Sequence, residues 1–210
     1  MEQKYILTEE TKVVNGHTLH RIKAVCDFND VKVGQLGGFI ESEANLSHEG
    51  NAWVYDDAKV YDDAEVYGYA KVYDDAKVYG NAVVYGNASV YGNARVYGNA
   101  RVCGGAEVYG NSMVCGGAKV YGYAEVYGNA NVYGNGMVYC HAEVYGNAVV
   151  YGYAKVYDDA EVCGDAKVYG NAVVYGYAKV YDDAKVYGIA KVYDNARVCG
   201  DAKMVAGVSH

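Results

Sequence analysis

From Ala52 to Asp201 the chain repeats one six-residue pattern, Ala-x-Val-Tyr-Gly-Asn, 25 times without insertion or deletion. A uniform period must be met by a uniform structural unit, so no other feature limits the fold as tightly. Valine holds its slot in all 25 repeats, from Val54 to Val198. Alanine holds its slot in 23, the exceptions being Ser112 and Gly136. Tyrosine holds its slot in 21, with Cys103, Cys115, Cys163 and Cys199 in the others. In an extended segment Ala and Val face one side, and x and Tyr face the other. The x slot takes Lys, Glu, Arg, Val, Ser, Met or Asn, the variety of a solvent-facing position. Gly, Asn and Asp close each repeat; they tolerate positive φ and mark a bend. A helix is excluded, because steps of six do not return to one face of a 3.6-residue turn. Separate hairpins fit poorly with a period that never changes. What remains is a short strand and a bend that coil over themselves, with rungs paired about 4.8 Å apart. The core is narrow, Val and Ala only, and no repeat can bury its apolar side without neighbours.

Runs such as Val84-Tyr85-Gly86-Asn87-Ala88-Ser89 and Val168-Tyr169-Gly170-Asn171-Ala172-Val173 resemble the hexapeptide repeat of left-handed β-helices. In that pattern an aliphatic residue is followed four positions later by a small one, with turn residues between. Tyr directly after the aliphatic residue is a departure, since many members carry Gly, Ala or an acid there. The resemblance implies an all-β, left-handed parallel β-helix of triangular section with three hexads per coil. On that basis residues 51–202 make about eight coils, roughly 40 Å of solenoid at the strand spacing.

Residues 1–50 lie outside the repeat. Lys4–Thr8 and Leu19–Val25 are strand-like, and Asn15-Gly16 between them is a hairpin signal. Gly34, Gly37 and Gly38 suggest further turns before Phe39-Ile40. The segment reads as an N-terminal β cap over the first rung, which would otherwise be a bare strand edge. It also resembles the start of a bacterial group of uncharacterised hexapeptide-repeat proteins labelled as transferases from their fold. Residues 203–210 form a short tail with no helix or charged strand to blunt the last rung. Either the tail folds over the end, or Met204 and Val205 lie on an edge that pairs with another chain.

With three hexads per coil, side chains three repeats apart stack. One face carries Trp53, Lys71, Ser89, Glu107, Glu125, Glu143, Glu161, Lys179 and Arg197. Its four successive glutamates repel one another, and either meet a basic face of another copy or are screened by solvent. A second face, from Lys59 to Lys203, is basic at both ends; the third runs from Glu65 to Lys191. Tyr55, Tyr73, Tyr91, Tyr109, Tyr127 and Tyr145 form one column at a spacing suited to aromatic pairs, with two more columns on the other faces. Such columns either shield the backbone by stacking or offer an aromatic surface for self-association or sugar rings.

Function classes narrow by composition. The net charge is -8 and the pI about 5.1, which argues against general nucleic-acid binding. No stretch has the ~20 apolar residues of a membrane span, and the start is polar, with no signal-peptide core. A cytoplasmic location is expected, with the six cysteines as isolated reduced thiols. Enzymes of the superfamily the repeat resembles are mostly acyltransferases that act as trimers, binding acyl-CoA between solenoids, with a His as general base and a loop interrupting the coils. No loop interrupts this repeat, and its one histidine, His141, follows Cys140 where Gly-Asn is usual. His141 is therefore the candidate base, or simply a tolerated turn residue. Asp-Asp pairs stack at one corner as Asp56, Asp57, Asp74 and Asp75; carboxylates so placed suit Ca²⁺, but Asp also forms turns. Thr columns of the ice-binding kind are missing. The preferred expectation is a non-catalytic, self-assembling solenoid without a cofactor. The alternative is a CoA-dependent acyltransferase with His141 at a subunit interface.

Overall fold

Each repeat folds as a strand formed by its x and Val positions, followed by a tight turn. A computed structural model describes residues 3–209; Met1, Glu2 and His210 lie outside the described residues. Within the turn the N–H of Ala58 donates to the carbonyl of Tyr55 at 3.1 Å, and Asp56, first in the bend, has φ +51°. Elsewhere Gly takes that position, as at Gly104 with φ +73°. Positive φ at the first central residue is free for Gly and tolerated by Asp, in keeping with the Gly, Asp and, once, Cys140 that occupy it.

Three backbone bonds per repeat run to the next rung. Arg101 N–H donates to Ala118 O at 3.0 Å, Cys103 N–H to Val120 O at 3.0 Å, and Gly105 N–H to Gly122 O at 2.7 Å. Arg101 therefore lies over Lys119, and Val102 over Val120. Each coil is three hexads, as the resemblance implies. Three sheets result, with twelve, ten and nine strands. The nine-stranded sheet runs from Trp53–Val54 to Arg197–Val198, wholly within the repeat, and marks about nine coils. The other two sheets are extended by segments at both ends of the repeat. Leu46–Gly50 starts the ten-stranded sheet ahead of the first repeat, and Val208–Ser209 pairs with Lys191–Val192 at its far end. Lys203–Met204 likewise continues the twelve-stranded sheet beside Lys185–Val186. Solenoid pairings are parallel and in register. Among the described residues no helix is long and apolar enough to cross a membrane.

The valines at 54–192 and nearly every repeat alanine are buried in one continuous core. Two positions depart from the template. Gly136 keeps the usual turn, its N–H donating to Tyr133 O at 3.2 Å. Ser112 is fully buried, and its hydroxyl has no hydrogen-bond partner. A buried polar group left unpaired costs about 1–3 kcal/mol, so Ser112→Ala, which restores the template, should stabilise the rod by about 1 kcal/mol or more in denaturant unfolding. An unchanged or lower midpoint would mean that the hydroxyl has a partner in solution.

The N-terminal segment builds on the edge of the twelve-stranded sheet. Strands β1 (Tyr5–Val14) and β2 (His17–Ala24) form an antiparallel hairpin around Asn15 (φ +51°) and Gly16 (φ +91°), the turn that Asn-Gly predicts. Strand β3 (Leu36–Ile40) pairs antiparallel with β2 and parallel with Lys59–Val60, so it joins hairpin to coil. Gly37 and Gly38 lie inside β3, and only Gly34 takes the expected turn (φ +85°). Their role is close approach: a Cβ on Gly37 would meet Val54 O at 2.5 Å, and one on Gly38 would meet Ala58 O at 2.6 Å.

The same segment reverses the expected exposure of Trp53. Its slot faces outward, yet the indole is completely buried, edge-on to Tyr5 and Phe28 at ring distances of 6.0 and 5.3 Å. Tyr61 is buried likewise, beside Leu19 and Phe39. Three polar anchors fix the junction. Tyr5 Oη donates to Leu46 O at 2.6 Å, and Lys4 Nζ to Ala52 O at 2.8 Å. Burial draws the Lys4 side-chain amine down to about 8. Asn45, fully buried, accepts from the N–H groups of Glu41 and Ser42 and donates to the carbonyls of Asp62 and Ala64.

Candidate functional site

The surface is dominated by tyrosine rings, whose spacing the coil dictates. Rungs lie about 4.8 Å apart, so rings three repeats apart must stack or splay, and they stack. In the column Tyr55, Tyr73, Tyr91, Tyr109, Tyr127 and Tyr145, four of the five pairs are parallel within 5°, at 4.7–5.0 Å. The first pair, Tyr55–Tyr73, is edge-on at 6.5 Å. Tyr55 differs because its hydroxyl donates to Asp30 at 2.9 Å, a residue of the N-terminal segment.

These rings lean across the face towards the following rung. Tyr91 Oη donates to Glu107 at 2.8 Å, Tyr109 to Glu125 at 2.9 Å, Tyr127 to Glu143 at 2.8 Å and Tyr145 to Glu161 at 3.2 Å. The acidic ladder is therefore not a bare row of repelling charges. Each carboxylate takes a phenol donor from the preceding rung, and Lys179 meets Glu161 at 2.7 Å. Burial first, and the carboxylate second, push the Tyr91, Tyr109 and Tyr127 hydroxyls far above the usual phenol range. For Tyr145 the hydrogen bond to Cys163 leads, followed by burial.

Cysteine breaks all three columns. The first meets Cys163 directly after Tyr145. The second runs Tyr61, Tyr79, Tyr97, then Cys115, then Tyr133, Tyr151, Tyr169 and Tyr187. The third has Tyr67 and Tyr85, then Cys103, then Tyr121 to Tyr193. All six cysteines are free.

The candidate base His141 sits at an exposed corner, directly after Cys140, which takes φ +63°. The His141 backbone N–H donates to Asp158 O at 2.9 Å, and the imidazole stacks on Tyr123 at 5.4 Å. Among the described residues its ring nitrogens meet no carboxylate or hydroxyl. The paired aspartates serve the bends. Asp74 accepts from the N–H of Gly92 at 3.0 Å, as Asp62 does from Gly80 at 2.9 Å. Asp57 pairs with Lys12, and Asp75 lies 4.0 Å from Lys59. The Asp56 carbonyl accepts from Arg21 at 3.4 Å. Of the four aspartates considered for Ca²⁺, the carboxylates of Asp57, Asp74 and Asp75 thus face other groups of the chain, while Asp56 is held through its backbone. Met204 is half-buried against the core and Val205 is exposed, on a last rung whose strands pair on one side only.

A family model described as the YdcK beta solenoid repeat matches residues 76–92, 88–104 and 94–110. The windows are offset by whole hexads. These matches, together with the parallel stacked coils, fit a hexapeptide-repeat-like β-solenoid group. It is also similar to a protein of Escherichia coli strain K12 called "Uncharacterized acetyltransferase YdcK", being 42% identical over 55 residues. That stretch is 26% of this chain and 17% of the relative.

One cluster has no signal in the hexapeptide pattern, because its members come from the N-terminal segment and the first coil. His17 Nδ1 lies 3.0 Å from Glu41, and Nε2 lies 3.1 Å from Asp62. Their ligand-capable atoms fall within 4.8 Å of one another. The hydrogen bond to Glu41 leads in raising the His17 pKa, against partial desolvation. Both ring nitrogens already face carboxylates, the arrangement of an imidazolium bridging two acids.

Proposed function

We propose that the chain is a rigid interaction rod, and that a second copy of itself docks on its tyrosine-bearing faces. The observation that supports this most is the ring stacking. Each column holds phenol rings at a fixed repeat, and in the longest unbroken run the hydroxyls of Tyr55, Tyr91, Tyr109, Tyr127 and Tyr145 are already matched by carboxylates. A surface whose polar tips are satisfied internally offers its ring edges at little desolvation cost. The last rung, paired on one side only, is an edge on which a further rung can stack, whether from the same polypeptide or another.

Light scattering with negative-stain microscopy tests this reading. Concentration-dependent side-by-side or end-to-end assemblies are expected. Tyr109→Ser with Tyr127→Ser, which removes two adjacent rings, should weaken association about tenfold, equivalent to about 1.4 kcal/mol. A strictly monomeric rod at all concentrations would end the proposal.

A second reading is acyl transfer, favoured by the likeness to the E. coli protein whose name gives it as an acetyltransferase. On that reading acyl-CoA binds between solenoids of a trimer, with His141 as base. A discrete trimer that takes up CoA, and loses transfer on His141→Asn, would replace the rod model.

A further inference from the structure

A cysteine in a tyrosine slot removes one ring from a column; at Cys103 the hydroxyl of the preceding ring, Tyr85, reaches over to hydrogen-bond the thiol, a contact that a ring entering the gap replaces. Tyr85 and Tyr121 flank Cys103 two rungs apart, about 9.6 Å by the strand spacing. That is the room one planar ring takes when it stacks on both sides in these columns. Both walls are braced from behind: Tyr85 stacks on Tyr67 at 5.1 Å, and Tyr121 on Tyr139 at 4.8 Å. The gap opens as a 260 Å³ cavity lined by Tyr85, Arg101, Cys103, Lys119, Tyr121 and Met137. Whole drug-sized sites occupy roughly 300–1,000 Å³, so this one holds a ring and leaves the rest of a ligand in solvent.

Charge separates this gap from the other two internal ones. Among the described residues Arg101 and Lys119 make no ion pair, and no acid lines the cavity. The gap at Cys163 is lined by Glu161 and Asp182 as well as Lys179 and Arg197, and its Lys179 is already paired with Glu161. Beside the gap at Cys115, the positions equivalent to Arg101 and Lys119 are Met113 and Asn131, which carry no charge. Among the described residues, only the Cys103 gap joins two braced aromatic walls to two unpaired cations.

We propose that the Cys103 gap binds a planar aromatic ring bearing an anionic group, of the nucleoside monophosphate class. The ring stacks between Tyr85 and Tyr121, and the anion meets Arg101 and Lys119. Base stacking on aromatic side chains is sequence-tolerant, so the purine or pyrimidine matters less than the charge. The proposal does not depend on whether the rods self-associate.

Calorimetric titration with adenosine monophosphate is the test, with adenosine and inorganic phosphate as the half-ligands. One equivalent of the nucleotide should bind, with each half-ligand at least about tenfold weaker. Cys103→Tyr refills the gap with the residue the template carries in 21 of 25 repeats, so the fold is kept and binding should be lost. Cys163→Tyr should leave binding unchanged. Bound nucleotide should also slow alkylation of Cys103, followed by peptide mapping. The proposal is overturned if Cys103→Tyr binds as tightly as the parent. It also fails if adenosine equals the nucleotide, or if no saturation occurs below about 1 mM.

Discussion

Taken from pH 9 to pH 12, the protein should lose its β structure in one steep step, with its tyrosines ionising in that step rather than before it. An unfolded tyrosine ionises near pH 10. In the rod, the hydrogen bond to Cys115 holds Tyr97 up to about 12, and burial holds Tyr139 up to about 12. Tyr91, Tyr109 and Tyr127 are raised further, by burial and then by their glutamates. A raised folded pKa leaves stability intact below the unfolded value and removes it as pH climbs towards the folded one. Each exposed ring contributes modestly after solvent screening, but the same shift recurs along three columns, so the losses accumulate within a narrow pH window. Tyrosinate absorbance and far-ultraviolet circular dichroism should therefore change together. Phenolate absorbance rising near pH 10 in a rod that keeps its dichroism would show that the stacks do not protect their hydroxyls. Replacing Glu107, Glu125 and Glu143 by Gln removes one source of the shift and should make the loss less steep.

The second large effect centres on Asn45. Its amide satisfies four backbone groups at once, two N–H and two C=O, where the N-terminal segment meets the first coil. Asn45→Ala leaves three of them unpaired around a fully buried side chain, the Glu41 N–H keeping its second acceptor, Val60 O, at 3.1 Å. At about 1–3 kcal/mol per orphaned group, partly relieved by water, the cost is on the order of 3–5 kcal/mol. Because solenoid stability is a sum of local interfaces, the loss should be local. Hydrogen exchange should rise through β1–β3 and the first coil while the coils beyond residue 100 stay protected. Asn45→Asp should do no better, since an oxygen would then face the carbonyls of Asp62 and Ala64. Uniform exchange along the whole rod would contradict this picture.

The repeat made the solenoid legible because each level agreed with the next. Val and Ala two apart gave the inward side, and Gly, Asn or Asp gave the bend. The three-hexad coil came from resemblance, and the backbone bonds from Arg101 to Ala118 bear it out. Contacts between rungs were harder to read. Vertical stacking lined Glu107 to Glu161 up as mutually repelling neighbours. The phenol tips instead reach across to the following rung, which depends on how a ring leans rather than on period. The N-terminal segment hid more. Nothing in an outward slot announces that Trp53 will be roofed by Tyr5 and Phe28, or that Asn45 and His17 will join distant parts of the chain. These are non-local contacts of a segment without repeats, where pattern carries little information. The significance of Cys103 was legible only in part: the exchange of Tyr for Cys and Arg101 two residues before it stand together in the sequence, but the second cation, Lys119, comes from the next rung.

The three-sided coil gives insertions and deletions an unusual meaning. Removing three whole repeats would shorten the rod by one step and leave every later side chain facing as before. Removing a single repeat would preserve the local pattern equally well, yet turn all that follows through a third of a revolution. The glutamates would then pass from one face to the next. In such a molecule the length of an indel is an angle, and near-identical repeats, which misalign easily in replication, supply a ready means of rewriting which surfaces lie side by side.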